Sequence, residues 1–250
     1  RQDAMCGGQC LRFIGGRKMQ LLLLTNSHTR AEISASVGSG SDAVDAGPND
    51  LSPVVPCRDA CGEVYCSTAC ATKHWESCHC LLCTGKIPDE SAQTHPIMAF
   101  KIHACQTNEI FLMVADIFAG VVLRVEKGAT PEEAMAPYEG YVREHWWDAV
   151  ANPDPILVQK LKELVAQSWV FLSEALHLSA RNIHSILDMD YFSQTIGMFE
   201  QNNVGIQLTN PVAAFAKEVS LMDGPSFDQD AAESVLSAAK TILLSRGGDV

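Results

Sequence analysis

CRDACGEVYCSTACATKHWESCHCLLC, residues 57–83, holds seven of the ten cysteines in the chain. Three residues separate Cys57 from Cys61, Cys66 from Cys70, and His79 from Cys83. Closely spaced pairs of cysteine and histidine are the ligand set Zn²⁺ prefers, soft thiolates and imidazole in a tetrahedron. Each pair grips a metal from a tight turn, and two pairs complete a site. The run offers three pairs, and a fourth, Cys6 and Cys10, stands upstream with the same spacing. Four pairs make two four-coordinate zinc sites and leave Cys78, Cys80 and Cys105 over. Such ligands do not pack until metal binds, so metal affinity contributes directly to folding. A segment this short, with few large apolar residues, needs that staple.

A disulfide framework is the competing reading of dense cysteine. Three features favour zinc. The His79-x3-Cys83 end has no meaning in a disulfide. From Ile110 onward there is no cysteine, and the chain reads as an intracellular helical protein. The opening residues, with Arg1, Asp3 and glycines, lack the apolar core of a secretory signal. A nuclear or cytoplasmic location, in a reducing compartment, follows as an expectation. The first residue is Arg1 and not Met, which is compatible with a piece of a longer gene product.

The 250 residues allow one sizeable domain or two small ones. Charge divides unevenly: residues 1–83 carry 7 Lys/Arg and 8 Asp/Glu, and residues 84–250 carry 11 and 22. The acidic second part repels a phosphate backbone, so direct nucleic-acid binding is not expected. It can attract basic peptides such as histone tails, although a solvated acidic face is the commoner reason for such a charge. The most apolar run, Ile110 to Leu123, contains Asp116 and is too short to span a membrane.

Leu21 to Thr25 reads as a strand beside the first cysteine pair. Residues 36–56, rich in Gly, Ser, Asp and Pro, read as a flexible loop inserted in the zinc module. A helix is expected over 66–82, with Trp75 packed on the zinc core in preference to lining a peptide groove. The helical spacing of Ile97, Phe100, Ile102 and Ala104, then Ile110, Met113, Val114, Ile117, Phe118, Val121 and Val122, marks a buried stripe interrupted at Gln106-Thr107-Asn108. Cys105 is expected as a buried free thiol on that stripe. Thr130-Pro131-Glu132-Glu133 starts a helix with a capping box. Asp154-Pro155 starts another, running to about Leu178 along Leu157, Leu161, Leu164, Val165, Trp169 and Leu172. A further helix is expected over Ser179 to Gln201, and a last one from Ser226-x-x-Gln229 to Ser245. Trp146 and Trp147 are expected in the core. His74, His95, His103, His145, His177 and His184 are scattered with no catalytic spacing. The fold class is thus mainly α with a small zinc-stabilised irregular/β module: residues 1–83 form the zinc module and residues 84–250 a helical bundle.

A cysteine pair, then Tyr65-Cys66-Ser67-x-x-Cys70, Trp75 and His79-x3-Cys83, resembles the MYND-type zinc finger. In that family the pairs interleave. The resemblance implies Cys6, Cys10, Cys66 and Cys70 on one zinc, and Cys57, Cys61, His79 and Cys83 on the other. The family's fingers usually open with C-x2-C pairs, whereas Cys6/Cys10 and Cys57/Cys61 are wider and the gap from Cys10 to Cys57 is long. Cys78 and Cys80 flank His79 as competing ligands, although His79 fits the family register.

Other stretches are similar to SET–MYND protein-lysine methyltransferases of the plant trithorax-related group. They are Cys10-Leu11-Arg12-Phe13-Ile14-Gly15, His103-Ala104-Cys105-Gln106-Thr107-Asn108-Glu109-Ile110-Phe111, Trp146-Trp147-Asp148 and Ile196-Gly197-Met198-Phe199-Glu200-Gln201-Asn202-Asn203. In that group the finger and a helical insert interrupt a SET domain, which transfers a methyl group from S-adenosylmethionine to a lysine amine. The resemblance implies two Zn²⁺, a chromatin role and, where a complete SET domain is present, S-adenosylmethionine. The family's N-H-S-C-x-P-N stretch does not occur in this chain. Asn202 or Asn203 matches the family asparagine that touches the methyl donor; helix C-capping is the plainer reading of either. The expected function is therefore the zinc module and helical insert of a histone lysine methyltransferase. The alternative is a non-catalytic zinc adaptor that binds proline-containing peptides.

Overall fold

The computed structural model describes residues 6–15, 54–87, 94–150, 154–181, 183 and 186–203. The fold is mainly helical with one small sheet. Leu21–Thr25 and the helix expected from Ser226 lie outside the described residues. Two compact units are present, one ending at Thr72 and one beginning at Lys73. Cys78 and Leu82 belong to the hydrophobic core of the unit that begins at Lys73.

In the first unit, β1 (Val55–Pro56) pairs antiparallel with β2 (Val64–Tyr65), Val55 opposite Tyr65 and Pro56 opposite Val64. Of the inserted loop expected over 36–56, residues 36–53 lie outside the described residues, whereas Val54 is buried and Val55–Pro56 form β1. The β1–β2 turn is closed by Cys57 N–H donating to the Glu63 carbonyl at 2.8 Å. A similar turn forms upstream: Cys6 and Phe13 make a β-bridge, and Gly7 N–H donates to the Arg12 carbonyl at 2.9 Å. Gly7 has no room for a side chain without crowding, since a Cβ there would stand 3.3 Å from the Cys66 amide nitrogen.

α1 (Thr68–His74) continues through a π-helical turn, Trp75–His79, and a last turn, Cys80–Leu82. The helix expected over 66–82 is therefore present, with a change of winding inside it. Ser67 begins it: its hydroxyl accepts the Cys70 N–H at 3.2 Å, an N-cap that satisfies one of the orphan donors of the first turn.

The helical unit is built around α3 (Ile110–Glu126), which follows α2 (Pro96–Thr107). Asn108 separates them, its side-chain oxygen accepting the Ile110 N–H at 3.0 Å. Phe111, Val114, Ala115, Ile117, Phe118, Val121 and Val122 of α3 are buried. Phe118 is an aromatic hub, with Tyr191 and Phe192 ring centroids both at 5.7 Å and Trp169 at 6.1 Å. Such offset and edge-on pairs add to the area they bury. Cys105, Ile102 and Met113 depart from the expected stripe and are exposed. The inward face of α2 is set by Phe100 and Ala104, one turn apart, so a residue one step from Ala104 is turned about 100° outward.

α4 (Pro131–Met135) starts at the predicted capping box: Glu133 N–H donates to Thr130 Oγ1 at 3.2 Å, and Thr130 N–H donates to the Glu133 carboxylate at 2.8 Å. α5 (Trp146–Ala149) buries Trp146, with Trp147 packed beside the core. α6 (Pro155–Ala175) is capped by Asp154, which accepts the Leu157 N–H at 2.8 Å. It ends before Leu178, because His177 takes a left-handed backbone at φ 51°. The single helix expected over Ser179–Gln201 is instead a 3₁₀ turn, Leu178–Arg181, followed by α7 (Met189–Gln201). Asp188 caps α7 by accepting the Tyr191 N–H at 2.8 Å, a start signal that the hydrophobic spacing overran.

Candidate metal centre

The motif Tyr65-Cys66-Ser67-x-x-Cys70 acquires a physical reading in the structure. Tyr65 ends β2 in the core, Ser67 caps α1, and Cys70 sits one helical turn on. Strand end and first helical turn therefore aim Cys66 and Cys70 at one point. Their sulfurs are 3.5 Å apart, and Cys10 Sγ lies 3.4 Å from Cys66 Sγ. A disulfide would require about 2.05 Å. Thiolates sharing a tetrahedral zinc at about 2.3 Å from each would stand about 3.8 Å apart. The observed spacing is close to the second value. Cys10, Cys66 and Cys70 form one group, with ligand atoms all within 4.8 Å of one another. Cys6, half-buried, bridges to Phe13 and is not a member of this group.

The thiols of this group influence each other. The backbone hydrogen bond at Arg12 holds the Cys10 thiol below its ordinary value. Hydrogen bonds with Cys10 and Cys70 push Cys66 above it. Three sulfurs this close do not all become thiolates unless a cation sits among them.

Cys57, Cys61, His79 and Cys83 form a second group within the same 4.8 Å limit. Between Cys57 and Cys61, Ala60 has positive φ, 55°, and Gly62, just after Cys61, has φ 96°. That local winding curls the two cysteines onto one side. His79 is only 3% exposed. Its ring stacks on His74 at 4.9 Å and meets Trp75 edge-on at 5.9 Å. Trp75, half-buried, thus packs on the histidine of this group. The Gly85 N–H points at Cys83 Sγ, 3.5 Å away, the kind of backbone donor that supports a sulfur ligand. Borderline-soft sulfur and nitrogen donors, four in number and closed from most sides, fit a structural zinc.

A third group joins His74, Cys78 and Asp116. Burial, with Asp116 nearby, pushes the Cys78 thiol up to about 12. From the sequence Cys78 is only a rival to His79, and His74 and Asp116 have no expected role. The signals were present: His74-x3-Cys78 repeats the spacing of the other pairs, and Asp116 is the lone charge between Ile110 and Leu123. Cys80 lines a cavity of about 290 Å³ with Cys83, His95, His177 and Arg181.

Asn202 and Asn203 lie at the end of α7. The Asn202 side-chain nitrogen donates to the Met198 carbonyl at 2.7 Å and the Val142 carbonyl at 2.9 Å. It closes the helix and ties it to the segment before α5. Asn203 is exposed.

Over 211 residues, the chain is 30% identical to histone-lysine N-methyltransferase ATXR2 of Arabidopsis thaliana. The chain is related to a histone-lysine methyltransferase. The alignment covers 75% of this chain and 43% of that protein, so the chain spans less than half the length of its relative. No protein-family model matches the chain, and no solved structure matches it. Among the described residues no helix is long and apolar enough to cross a membrane.

Proposed function

We propose that this chain is the zinc-binding and helical part of an S-adenosylmethionine-dependent protein-lysine methyltransferase of the SET–MYND type, working on histones or other proteins of chromatin. The observation that carries this reading is the 30% identity to ATXR2 over 211 residues. Residues 1–83 act as a MYND-like module and residues 84–250 as the helical insert. Cys10, Cys66 and Cys70, with Cys6, hold one zinc; Cys57, Cys61, His79 and Cys83 hold the other. The gathering of each set within 4.8 Å supports this assignment for every ligand except Cys6, which is carried over from the family. Zinc here supplies structure: it neutralises the thiolates and ties turns too small to hold themselves.

When bound, S-adenosylmethionine supplies the methyl group. Asn202 is a poor fit for the family's donor-binding asparagine, because its amide nitrogen already serves two carbonyls. Asn203, exposed just beyond the helix, is the better candidate. The part proposed for this chain is support and substrate presentation. Its acidic second part, with 22 Asp/Glu against 11 Lys/Arg over residues 84–250, suits a basic histone tail.

Two measurements on the zinc-loaded 250-residue chain test this reading. Calorimetry with S-adenosylmethionine asks whether any donor site resides here; micromolar binding lost in Asn203→Ala would place it at the end of α7. Histone-tail peptides should be retained in low salt and released as salt rises. Neither donor nor tail binding, with zinc content and helix content intact, would sink the methyltransferase reading. A second reading, a zinc adaptor for proline-containing peptides, has the half-buried Trp75 beside His79 in its favour. It requires a proline-containing peptide to be retained and lost on Trp75→Ala with zinc content unchanged.

A further inference from the structure

The third group of donors lies wholly within the helical unit. His74 and Cys78 are one turn apart on the helix that runs from Thr68 to Leu82, so their side chains project from one face. Asp116 comes from α3. The two helices meet closely at this place. A Cβ on Gly120, one turn beyond Asp116, would stand 3.3 Å from the Ser77 carbonyl oxygen. Just past the end of α3, Lys127 Nζ donates to the Glu76 carbonyl at 3.0 Å. The face of α3 that carries Asp116 and Gly120 therefore lies along the π-helical turn. A glycine lets the backbones approach, and that approach delivers the carboxylate to Cys78. π-turns inside α-helices are commonly found at functional sites.

We propose that His74, Cys78 and Asp116 form a third zinc site, with three protein ligands and a fourth position open to water. One imidazole nitrogen, one sulfur and one carboxylate oxygen within 4.8 Å of one another match the distances and donor types of three-ligand zinc sites. The charge also balances. A thiolate and a carboxylate carry two negative charges, and Zn²⁺ cancels them, which removes the cost of a charged sulfur at the 7% exposed Cys78. On binding, the Cys78 S–H bond breaks, its proton leaves to solvent, and an S–Zn bond forms. The metal would staple the π-helical turn to α3. The stacked rings of His74 and His79, 4.9 Å apart, would join the third site mechanically to the group that contains His79. The site is independent of methyl transfer and of the proposed function.

The test is zinc content per chain on the full 250-residue protein, by elemental analysis and by native mass, for the parent, Asp116→Asn, His74→Gln and Cys78→Ser. Each variant should hold one zinc fewer than the parent. Asp116→Asn, isosteric and at an exposed position, should keep the parent's helix content. Cys66→Ser should lose a different zinc, so that Cys66→Ser with Asp116→Asn loses two. Cobalt titration gives a second readout: the thiolate-to-cobalt absorption at saturation, to which the two cysteine-rich groups also contribute, should fall by the Cys78 share in Cys78→Ser and in Asp116→Asn. Equal zinc content and equal cobalt spectra in the parent and a folded Asp116→Asn protein would overturn the proposal. If Cys78→Ser fails to fold, Asp116→Asn and His74→Gln still decide the question.

Discussion

Ala60 holds a left-handed backbone, φ 55°, at the turn that brings Cys57 and Cys61 together. The strain there is the cost of a Cβ in a region where glycine alone sits freely. Ala60→Gly should therefore raise the stability of the zinc-loaded protein by about 0.5–1 kcal/mol, the relief outweighing the extra freedom of glycine in the unfolded chain. A lower thermal midpoint would contradict the turn geometry. His103 offers a test of a different kind. Its Nε2 lies 2.7 Å from Ser168 Oγ, and its ring packs against Phe171 and Phe111. Burial lowers its proton affinity in the folded state. The unfolded chain therefore binds a proton first as pH falls through the ordinary histidine value near 6.5. Stability from this group is present above that value and declines below it. Because the ring is partly exposed, the effect is small, and it is read as a difference: the gap between melting midpoints at pH 7.5 and 5.5 should shrink in His103→Gln.

At the scale of elements, Gly197 marks a close approach of backbone to backbone. A Cβ on this residue of α7 would fall 2.1 Å from the Glu144 carbonyl oxygen, and that neighbour is backbone that cannot rotate away. Gly197→Ala must push α7 off the segment leading into α5, at a cost of about 3 kcal/mol or more. Urea unfolding measures it, and a loss under 1 kcal/mol would mean that α7 docks differently. The start of α4 gives a milder prediction. Thr130→Ala removes one arm of the capping box and should cost about 1 kcal/mol, with Thr130→Ser recovering most of it. Both positions were visible in the residues, but unequally. Thr-x-x-Glu announces a cap by itself, whereas a glycine inside a helical pattern says nothing of what lies against it.

At the scale of the whole molecule, two sources of stability should separate. The helical unit has a core that runs from Phe100 through α3 to Ile196 and Met198. Among its described residues the first unit buries few apolar side chains, Ile14, Val54, Val64 and Tyr65 among them. Strong chelator should therefore abolish hydrogen-exchange protection over residues 55–70 while residues 111–122 and 191–198 stay protected. Protection retained over 55–70 in chelator would argue that those turns hold without metal. This asymmetry was legible early, because the density of cysteine and the scarcity of large apolar residues coincide in the same run. The limits of α7 and the exposure of Cys105 were not. Both depend on which face a helix turns inward, and several apolar residues competed for it.

The sequence by itself determined the ligand types, their three-residue spacing, the cap of α4 and the presence of α2, α3 and α6. These are local properties, set by side-chain chemistry and by the 3.6-residue period. Only the tertiary structure decided which ligands meet. Cys78 lies next to His79 in the chain, yet it faces Asp116 of α3 and His79 groups with Cys57, Cys61 and Cys83. Neighbours on a helix point about 100° apart, so adjacency in sequence separates their side chains. The close approach at Gly120, set by packing of distant segments, brings residues 74, 78 and 116 to one point.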